Sequence, residues 1–364
     1  MLSDRGTGPV VPVGDRQYLA PNGGLIMTEL HIGLIGAGKM GASLAAGVQA
    51  AGNATICAVA DPAEGAAAAL AEKLGDASIS AHTDVAEMLA RKEIEAVIVA
   101  VPNFLHAQVV RDACAAGKHV FCEKPMALNV GDARCMIETA EQNGVKLMIG
   151  QVLRYIPPYV WMIDLVTSGE IGEAFAVQVT RLDGGWAAGS YRVPWRMKKE
   201  TCGGPLFEIA AHEIDFMRQV LGEAETVYAS MDNYVSSDVD YEDLAHVLVN
   251  FQGGGRGCLL TGHCGFLGTY DGKIYCTEGS IFFDNKTGQV TYQRKGDDEP
   301  TVLPYAETGE GYEPGVQREV REFVEAVLSD AEVTIPGIEG LRNTEIAQAA
   351  HISAANNRVV TLPL

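Results

Sequence analysis

A histidine spaced between two carboxylates is the feature of this sequence best suited to proton transfer. Glu208, His212 and Asp215 follow a spacing of i, i+4 and i+7, so a continuous helix over residues 206–221 would place all three on one face. Histidine binds and releases a proton near neutral pH, and a carboxylate one turn away can orient it. We predict that His212 is a general base, and that Glu208 and Asp215 orient it and the substrate hydroxyls. The alternative is a surface helix with ordinary charges, but the glycine pair before the helix favours close approach of a ligand.

A lysine held between an acidic residue and a proline is the second chemical feature. Lys124 follows a predicted strand in the segment Glu123-Lys124-Pro125. Proline keeps the preceding residue extended, so this lysine would be fixed at the carboxyl end of the strand, where open α/β sheets bind ligands. We predict that Lys124 is held at this crevice. An ordinary solvated lysine is the alternative.

The preceding predicted strand ends in a segment at the same edge of the sheet. It is followed by Pro102, Asn103 and His106, which we expect to line the cofactor crevice together with Glu123. Because His106 opens a helix, a structural role suits it better than a catalytic one.

A glycine-rich loop indicates a dinucleotide site. Residues 36–41 read Gly-Ala-Gly-Lys-Met-Gly, directly after an apolar strand and at the start of a helix. In this context Gly36 allows the tight turn, Gly38 lets the backbone approach a pyrophosphate, and Gly41 brings helix and strand together. Asp61 ends the next strand, where it would bind ribose hydroxyls and repel a 2′-phosphate, so we predict NAD, with NADP less favoured. The loop residues predicted to bind the cofactor are Gly36, Gly38, Lys39, Met40 and Gly41.

The elements that position these residues alternate between strand and helix in the first half. Strands are predicted at 31–35, 55–60, 95–101, 118–122 and 146–150. Helices are predicted at 39–51, 63–74, from Asp84 onward, 103–116 and 129–143. This alternation predicts a doubly wound parallel sheet of the Rossmann type over residues 29–150.

The second half, residues 151–364, is predicted to be a substrate-binding and oligomerisation α/β domain. Six predicted strands joined by glycine-rich turns indicate a large, mostly antiparallel open sheet, and they lie at 174–181, 226–231, 244–251, 257–263, 272–277 and 289–293. Helices at 206–221, 316–328 and 340–356 would cover it. Residues 1–28 show no regular period, and we expect a disordered tail or an over-extended start with Met27 as the initiator.

Composition restricts the classes of partner. With 27 basic and 47 acidic residues, the net charge is 27 − 47 = −20, which disfavours nucleic acid and anionic membranes. No stretch approaches the roughly 20 apolar residues of a membrane helix. The eight cysteines form no C-x-x-C pair and several lie in apolar runs, so we expect reduced thiols in a cytoplasmic protein. His263 and Cys264 are adjacent in a predicted strand and would point to opposite faces, so no metal site is expected.

Taken together, these motifs resemble the glucose–fructose oxidoreductase/inositol dehydrogenase (Gfo/Idh/MocA) family. The resemblance covers nearly the whole chain after Met27 and rests on the glycine loop, Asp61, the segment from Pro102 to His106, Glu123-Lys124-Pro125 and the helix that carries His212. It implies NAD(P)-dependent oxidation of a sugar, cyclitol or related polyol, with Lys124 and His212 in catalysis. It also implies a homodimer or homotetramer formed through the C-terminal sheet. Under the resemblance, Arg154, Trp195 and Arg196 are expected at the substrate or cofactor.

Two positions depart from the family pattern. Glu208 stands where the family commonly has Asp, and Cys202 replaces the first glycine of a usual triplet. Two other functions stay open: a redox-neutral lyase or glycoside hydrolase that oxidises its sugar transiently, and a non-catalytic sugar-sensing regulator. The presence of both Lys124 and His212 argues against the regulator.

Overall fold

The structure, a computed structural model, describes residues 29–184, 192–309 and 313–364, so the predicted tail over residues 1–28 lies outside it. The first half forms a six-stranded parallel sheet. Its strands are β1 (Leu30–Ile35), β2 (Ala54–Ala60), β3 (Ser80–His82), β4 (Ala96–Val99), β5 (His119–Cys122) and β6 (Leu147–Ile149). Its helices are α1 (Lys39–Ala51), α2 (Ala66–Leu74), α3 (Val85–Leu89), α4 (His106–Ala115) and α5 (Val130–Gln142).

The strand order β3-β2-β1-β4-β5-β6 confirms the predicted doubly wound sheet. The order reverses between β1 and β4, and the crevice at such a reversal is where open α/β sheets bind ligands. β4 is buried at all four positions because helices cover both faces of the sheet. The short strand β3 was not predicted, since three residues are too few to show a period.

The second half forms a nine-stranded sheet in the order β14-β13-β12-β11-β7-β10-β9-β8-β15. Its strands are β7 (Ala174–Leu182), β8 (Ala224–Asp232), β9 (Leu244–Phe251), β10 (Arg256–Gly262), β11 (Thr269–Cys276), β12 (Gly279–Asp284), β13 (Gln289–Arg294), β14 (Thr301–Pro304) and β15 (Val360–Thr361). Among the strands that the structure describes here, only β7 and β10 pair in parallel, which confirms the predicted mostly antiparallel sheet. Sequence analysis did not predict β12, β14 or β15.

The two faces of this sheet differ in their surroundings. Burial alternates strictly along β9, because one face packs on helices and the other is open. The covering helices are α6 (Pro157–Thr167), α9 (Ala211–Leu221) and α11 (Gly337–Asn356). Large apolar side chains are exposed on the open face, including Leu248 at 53% of its surface, Tyr228 and Phe282.

One helix of the second half packs in the core of the first. In α10 (Gly315–Leu328), Val320 and Phe323 are fully buried in the core of the parallel sheet. Gly47 of α1 lies so close that a Cβ there would meet Val320 Cγ2 at 3.1 Å, and Phe323 packs edge-on against Phe121 with ring centroids 5.8 Å apart. The two cores therefore do not divide at the single predicted boundary between residues 150 and 151.

The continuous helix predicted over residues 206–221 is wrong. The segment instead forms α7 (Lys199–Cys202), α8 (Pro205–Glu208) and α9. The Ala210 N–H turns back to the carbonyl of Pro205, which closes α8 after a single turn before α9 begins at Ala211. Glu208 therefore ends one helix and His212 lies in the first turn of the next, so the i, i+4, i+7 face does not exist.

The cysteines and the helix lengths complete the description. All eight cysteines are free thiols, and Cys114, Cys122, Cys202 and Cys276 are buried. Within the described ranges, no helix has both the length and the apolar character needed to span a membrane.

Candidate active site

The glycine loop after β1 has the shape that a dinucleotide needs. Gly36 has a φ of +104°, and a Cβ there would meet the carbonyl oxygen of Ala100 at 2.4 Å. A Cβ on Gly41 would lie 2.0 Å from the Gly36 oxygen, so helix α1 packs directly against the loop. Gly38 instead faces open space and precedes α1 without a side-chain cap. The first N–H groups of α1 are thus open to an anion.

Asp61 lies beside this loop at the end of β2. Its Oδ2 accepts from the Ala37 N–H at 2.8 Å, and its Oδ1 accepts from the Ala63 N–H at 2.9 Å. Each carboxylate oxygen can accept a second hydrogen bond, so the side chain can still receive ribose hydroxyls. The open space at Gly38, the uncapped helix and Asp61 together fit a dinucleotide. Lys39 and Met40 are exposed next to them.

We expect a Gly38→Ala variant to fold normally and to bind NADH about tenfold more weakly or worse, because its methyl group fills space that the phosphates need. Gly38 has a φ of −74°, so alanine adds no backbone strain. Thermal unfolding and NADH fluorescence measure the two effects. Gly253→Ala, at another open glycine, is the matched control. Unchanged NADH affinity in Gly38→Ala would place the cofactor elsewhere.

Lys124 reaches from the first domain to the end of α8. Its Nζ donates to the carbonyl oxygen of Glu208 at 2.8 Å. Asn103, from the loop after β4, donates through Nδ2 to Glu208 Oε2 at 2.7 Å and to the Cys202 carbonyl at 3.0 Å. Arg196 Nε donates to Glu208 Oε1 at 2.6 Å. Glu208 therefore joins the two domains.

These contacts change the predicted role of Glu208. Each carboxylate oxygen already binds a protein donor, and no hydrogen bond joins Glu208 to His212 among the described residues. The prediction that Glu208 orients His212 is corrected accordingly, because the break after α8 separates the two side chains. The predicted cofactor residue Asn103 likewise uses its amide to bind the second domain.

His212 is a half-buried residue with one unpaired ring nitrogen. Its Nδ1 is buried and has no hydrogen-bond partner in the described chain. Burial, with the positive charges of Lys124 and Arg181, lowers the pKa of His212 well below its ordinary value. The imidazole is therefore neutral at neutral pH and can accept a proton. The effect of Lys124 also shows that the two predicted catalytic side chains share one electrostatic environment.

Sequence analysis missed a polar cluster close to His212. Arg181 of β7 donates through Nη1 to Glu213 Oε1 at 2.9 Å, and the Tyr270 hydroxyl donates to the same oxygen at 2.6 Å. The guanidinium also lies 4.7 Å from the centroid of the Tyr270 ring. An arginine near the end of an otherwise largely apolar strand was the available signal for Arg181, whereas nothing near Tyr270 in the sequence indicates this contact.

Asp215 forms a buried ion pair with Arg154. Arg154 donates to its two oxygens at 2.8 and 2.6 Å, and Asn343 and Gln219 donate to the same oxygens at 3.0 and 3.1 Å. Arg154 also pairs with Glu339 at 2.8 Å. The polar groups of Asp215 and Arg154, both predicted to bind substrate, thus bind each other and α11, and their predicted substrate-binding roles stay predictions.

The remaining predicted residues include Glu123, Trp195 and Pro102. Glu123 is buried, its Oε2 accepts from the Lys124 N–H at 3.2 Å, and burial raises the pKa of this carboxyl to about 7. Trp195 is half-buried, with the Arg196 guanidinium 4.4 Å from its ring centroid. Pro102 is half-buried beside Asn103.

His106 lies beneath these residues and is fully buried. Both of its ring nitrogens contact backbone carbonyls, so a hydrogen bond from His106 to the cofactor would need one contact to break. Among the residues that the structure describes, no group of three His, Cys, Asp or Glu side chains is arranged to hold a metal ion.

Comparison with known families decides the assignment. The family model described as "Oxidoreductase family, NAD-binding Rossmann fold" matches residues 30–151, and the "GFO/IDH/MocA C-terminal domain" matches residues 159–282. The chain belongs to the Gfo/Idh/MocA oxidoreductase family. Its first domain is accordingly an NAD-binding Rossmann domain, as predicted from the glycine loop.

Relatives within the family have different activities. Myo-inositol 2-dehydrogenase of Thermotoga maritima is 28% identical over 341 residues, which is 92% of this chain and 98% of the relative. The 2,7-anhydro-N-acetylneuraminate hydratase of Escherichia coli is 31% identical over 259 residues, 70% of this chain and 68% of the relative. A levoglucosan dehydrogenase in complex with NADH and L-sorbose superposes with a TM-score of 0.84 at 25% identity, covering 93% of this chain and 100% of that one.

Proposed function

We propose that this protein is an NAD-dependent dehydrogenase that transfers a hydride between the nicotinamide and a secondary alcohol or ketone of a sugar, cyclitol or related polyol. The observation that carries the proposal is the meeting of Lys124 with the His212 segment, because Lys124 Nζ binds the Glu208 carbonyl while its charge lowers the pKa of His212. The inositol and levoglucosan dehydrogenases among the relatives support the substrate class.

In the proposed mechanism, the substrate hydroxyl binds between Lys124 and His212. The neutral imidazole of His212 accepts the hydroxyl proton, and the Lys124 ammonium stabilises the negative charge that develops on the oxygen. NAD supplies the hydride acceptor. The bond from Lys124 to the Glu208 carbonyl fixes the lysine while the substrate is absent. In the reverse direction, protonated His212 is a strong acid beside two cations and returns the proton to the carbonyl oxygen.

A substrate screen tests this proposal. Purified protein is mixed with sugars, inositols, anhydrosugars and glycosides, each with NAD⁺ and with NADP⁺, and the absorbance of the reduced nicotinamide is followed. We expect turnover of at least one polyol, with NAD⁺ preferred because the Asp61 carboxylate repels a 2′-phosphate. Absence of reduced nicotinamide across the panel, despite normal NADH binding, would reject the dehydrogenase.

A redox-neutral reaction is the second candidate, and the hydratase relatives favour it. Two of these relatives, at 31% and 33% identity, are 2,7-anhydro-N-acetylneuraminate hydratases. An enzyme of this kind would convert an anhydrosugar or glycoside without net formation of NADH. Product analysis by mass spectrometry in the same screen separates the two candidates, since substrate loss without absorbance change favours the second.

The pH dependence tests the proposed base. Because Lys124 and Arg181 disfavour the imidazolium, the acid limb of kcat/KM for oxidation should lie below the ordinary imidazole pKa of about 6.5. Removing one positive charge in Arg181→Met raises the pKa of His212, so the limb should move to higher pH. Arg181→Lys keeps the charge and is the control. A limb that stays in place, or moves to lower pH, in Arg181→Met would exclude His212 as the titrating base.

We also propose that the protein forms a homodimer or homotetramer through the open face of the nine-stranded sheet. The exposed Tyr228, Leu248 and Phe282 support this, since large apolar patches on a surface usually mark an interface. Light scattering after gel filtration measures the assembly. A Leu248→Glu variant should shift the distribution toward the monomer.

A further inference from the structure

The His106 ring lies between the ends of two strands. Its Nδ1 is 2.7 Å from the carbonyl oxygen of Pro125, and its Nε2 is 2.9 Å from the carbonyl oxygen of Val101. Val101 follows β4, and Pro125 follows Lys124 after β5. The imidazole thus bridges the carboxyl ends of two adjacent strands, one residue from the predicted catalytic lysine.

Both partners of this ring are hydrogen-bond acceptors. A neutral imidazole has one N–H and one lone pair, so it can donate to only one carbonyl. The other ring nitrogen would then face a carbonyl oxygen lone pair at hydrogen-bond distance, with no water able to reach this buried group. Two donated hydrogen bonds require two ring protons.

The groups around the ring shift the pKa of His106 in opposite directions. Burial is the largest effect and lowers the pKa of His106, and the nearby Lys124 ammonium lowers it further. The two carbonyl acceptors and the Glu208 carboxylate favour the protonated form but do not outweigh burial, so the pKa of His106 lies below its ordinary value. Lys124, Glu208 and the two carbonyls belong to the loops after β4 and β5 and to α8, which are the elements that face the ring.

We propose that His106 is a positioning residue for Lys124, and that its ring holds the Pro125 and Val101 carbonyls together, donating to one of them when neutral and to both when protonated. These contacts tie the segment that carries Lys124 to the end of β4. They fix where the lysine leaves the sheet, and so where its Nζ meets the Glu208 carbonyl and the substrate hydroxyl. The catalytic effect of His106 rests on the proposed dehydrogenase function, whereas its hydrogen bonding does not.

Nuclear magnetic resonance of ¹⁵N-histidine-labelled protein tests the hydrogen bonding without any substrate. His119, at the opposite end of β5, accepts the Lys146 N–H through Nδ1 at 3.0 Å and supplies an internal reference with one unprotonated nitrogen. At about pH 7 we expect His106 to keep one ring N–H that exchanges slowly with water, with and without NADH, and to gain the second only when the pH falls below the His106 pKa. Rapid exchange of that first N–H, as in an exposed imidazole, would overturn the proposal.

Two variants test the positioning role. His106→Phe removes both ring nitrogens, whereas His106→Gln keeps a hydrogen-bond donor. For a polyol that the wild type oxidises, kcat should fall about 10- to 100-fold in His106→Phe and less in His106→Gln. NADH affinity should stay near that of the wild type, and His119→Phe is the matched control. Folded His106 variants with wild-type kcat would overturn the role. If the wild type turns over no polyol, the proposed function fails while the resonance experiment still decides the hydrogen bonding.

Discussion

The His212→Ala variant is expected to lose roughly two to four orders of magnitude in kcat for polyol oxidation, the range typical of a general base. In the proposed mechanism His212 is the neutral imidazole that receives the hydroxyl proton, while Glu208 and Asp215 already bind other donors. NADH binding should be nearly unchanged, because the glycine loop and Asp61 belong to the other domain. Steady-state kinetics and NADH fluorescence measure the two quantities.

The matched control is His119→Ala, which removes an imidazole at the far end of β5. It should retain wild-type kcat. A loss smaller than about tenfold in His212→Ala, with the protein folded, would show that another group accepts the proton.

The second large effect is on stability. Asp215 is completely buried and accepts four hydrogen bonds from Arg154, Asn343 and Gln219. Removing Asp215 breaks a buried ion pair and leaves the Asn343 and Gln219 donors without this acceptor, while Arg154 keeps Glu339, so Asp215→Ala should lower the free energy of unfolding by about 3 kcal/mol. Chemical denaturation followed by circular dichroism measures it.

The comparison for this variant is an exposed pair. Glu93 binds Arg91 at 2.7 Å at the surface. Glu93→Ala should therefore lower the free energy of unfolding by no more than about 1 kcal/mol. If Asp215→Ala lowers the free energy of unfolding as little as Glu93→Ala does, the Arg154–Asp215 pair does not stabilise the fold as a buried pair should. A role of Asp215 in substrate binding would then be favoured again.

The parallel sheet could be predicted because its signals are local. Apolar runs buried on both faces, the glycine turn and the Asp84 helix cap each act within a few residues. The break after Glu208 was missed because the spacing of apolar and polar residues continues through it. Only Pro205 hinted at it, and proline is also a normal first residue of a helix.

The candidate active site also combines residues that local sequence predicts with contacts that it does not. Lys124 and His212 were predicted from residue type and neighbours, and the structure places both where one domain contacts the other. The partners of Glu208 and Asp215 were not predictable, since Asn103 and Asn343 are more than 100 residues away in sequence. Hydrogen bonds over such separations are set by how the domains pack, which no local pattern records.

The return of α10 to the first core has a consequence for dissection of the protein. A fragment ending at residue 150 would lack Val320 and Phe323, and the surfaces of α1 and β5 that they cover would face water. Such a fragment should aggregate or bind hydrophobic dyes. The same fragment with residues 313–336 fused to it through a short linker should stay in solution without aggregating. The cofactor domain is therefore assembled from two separate stretches of the polypeptide, and proteolysis between them would not release it as an intact unit.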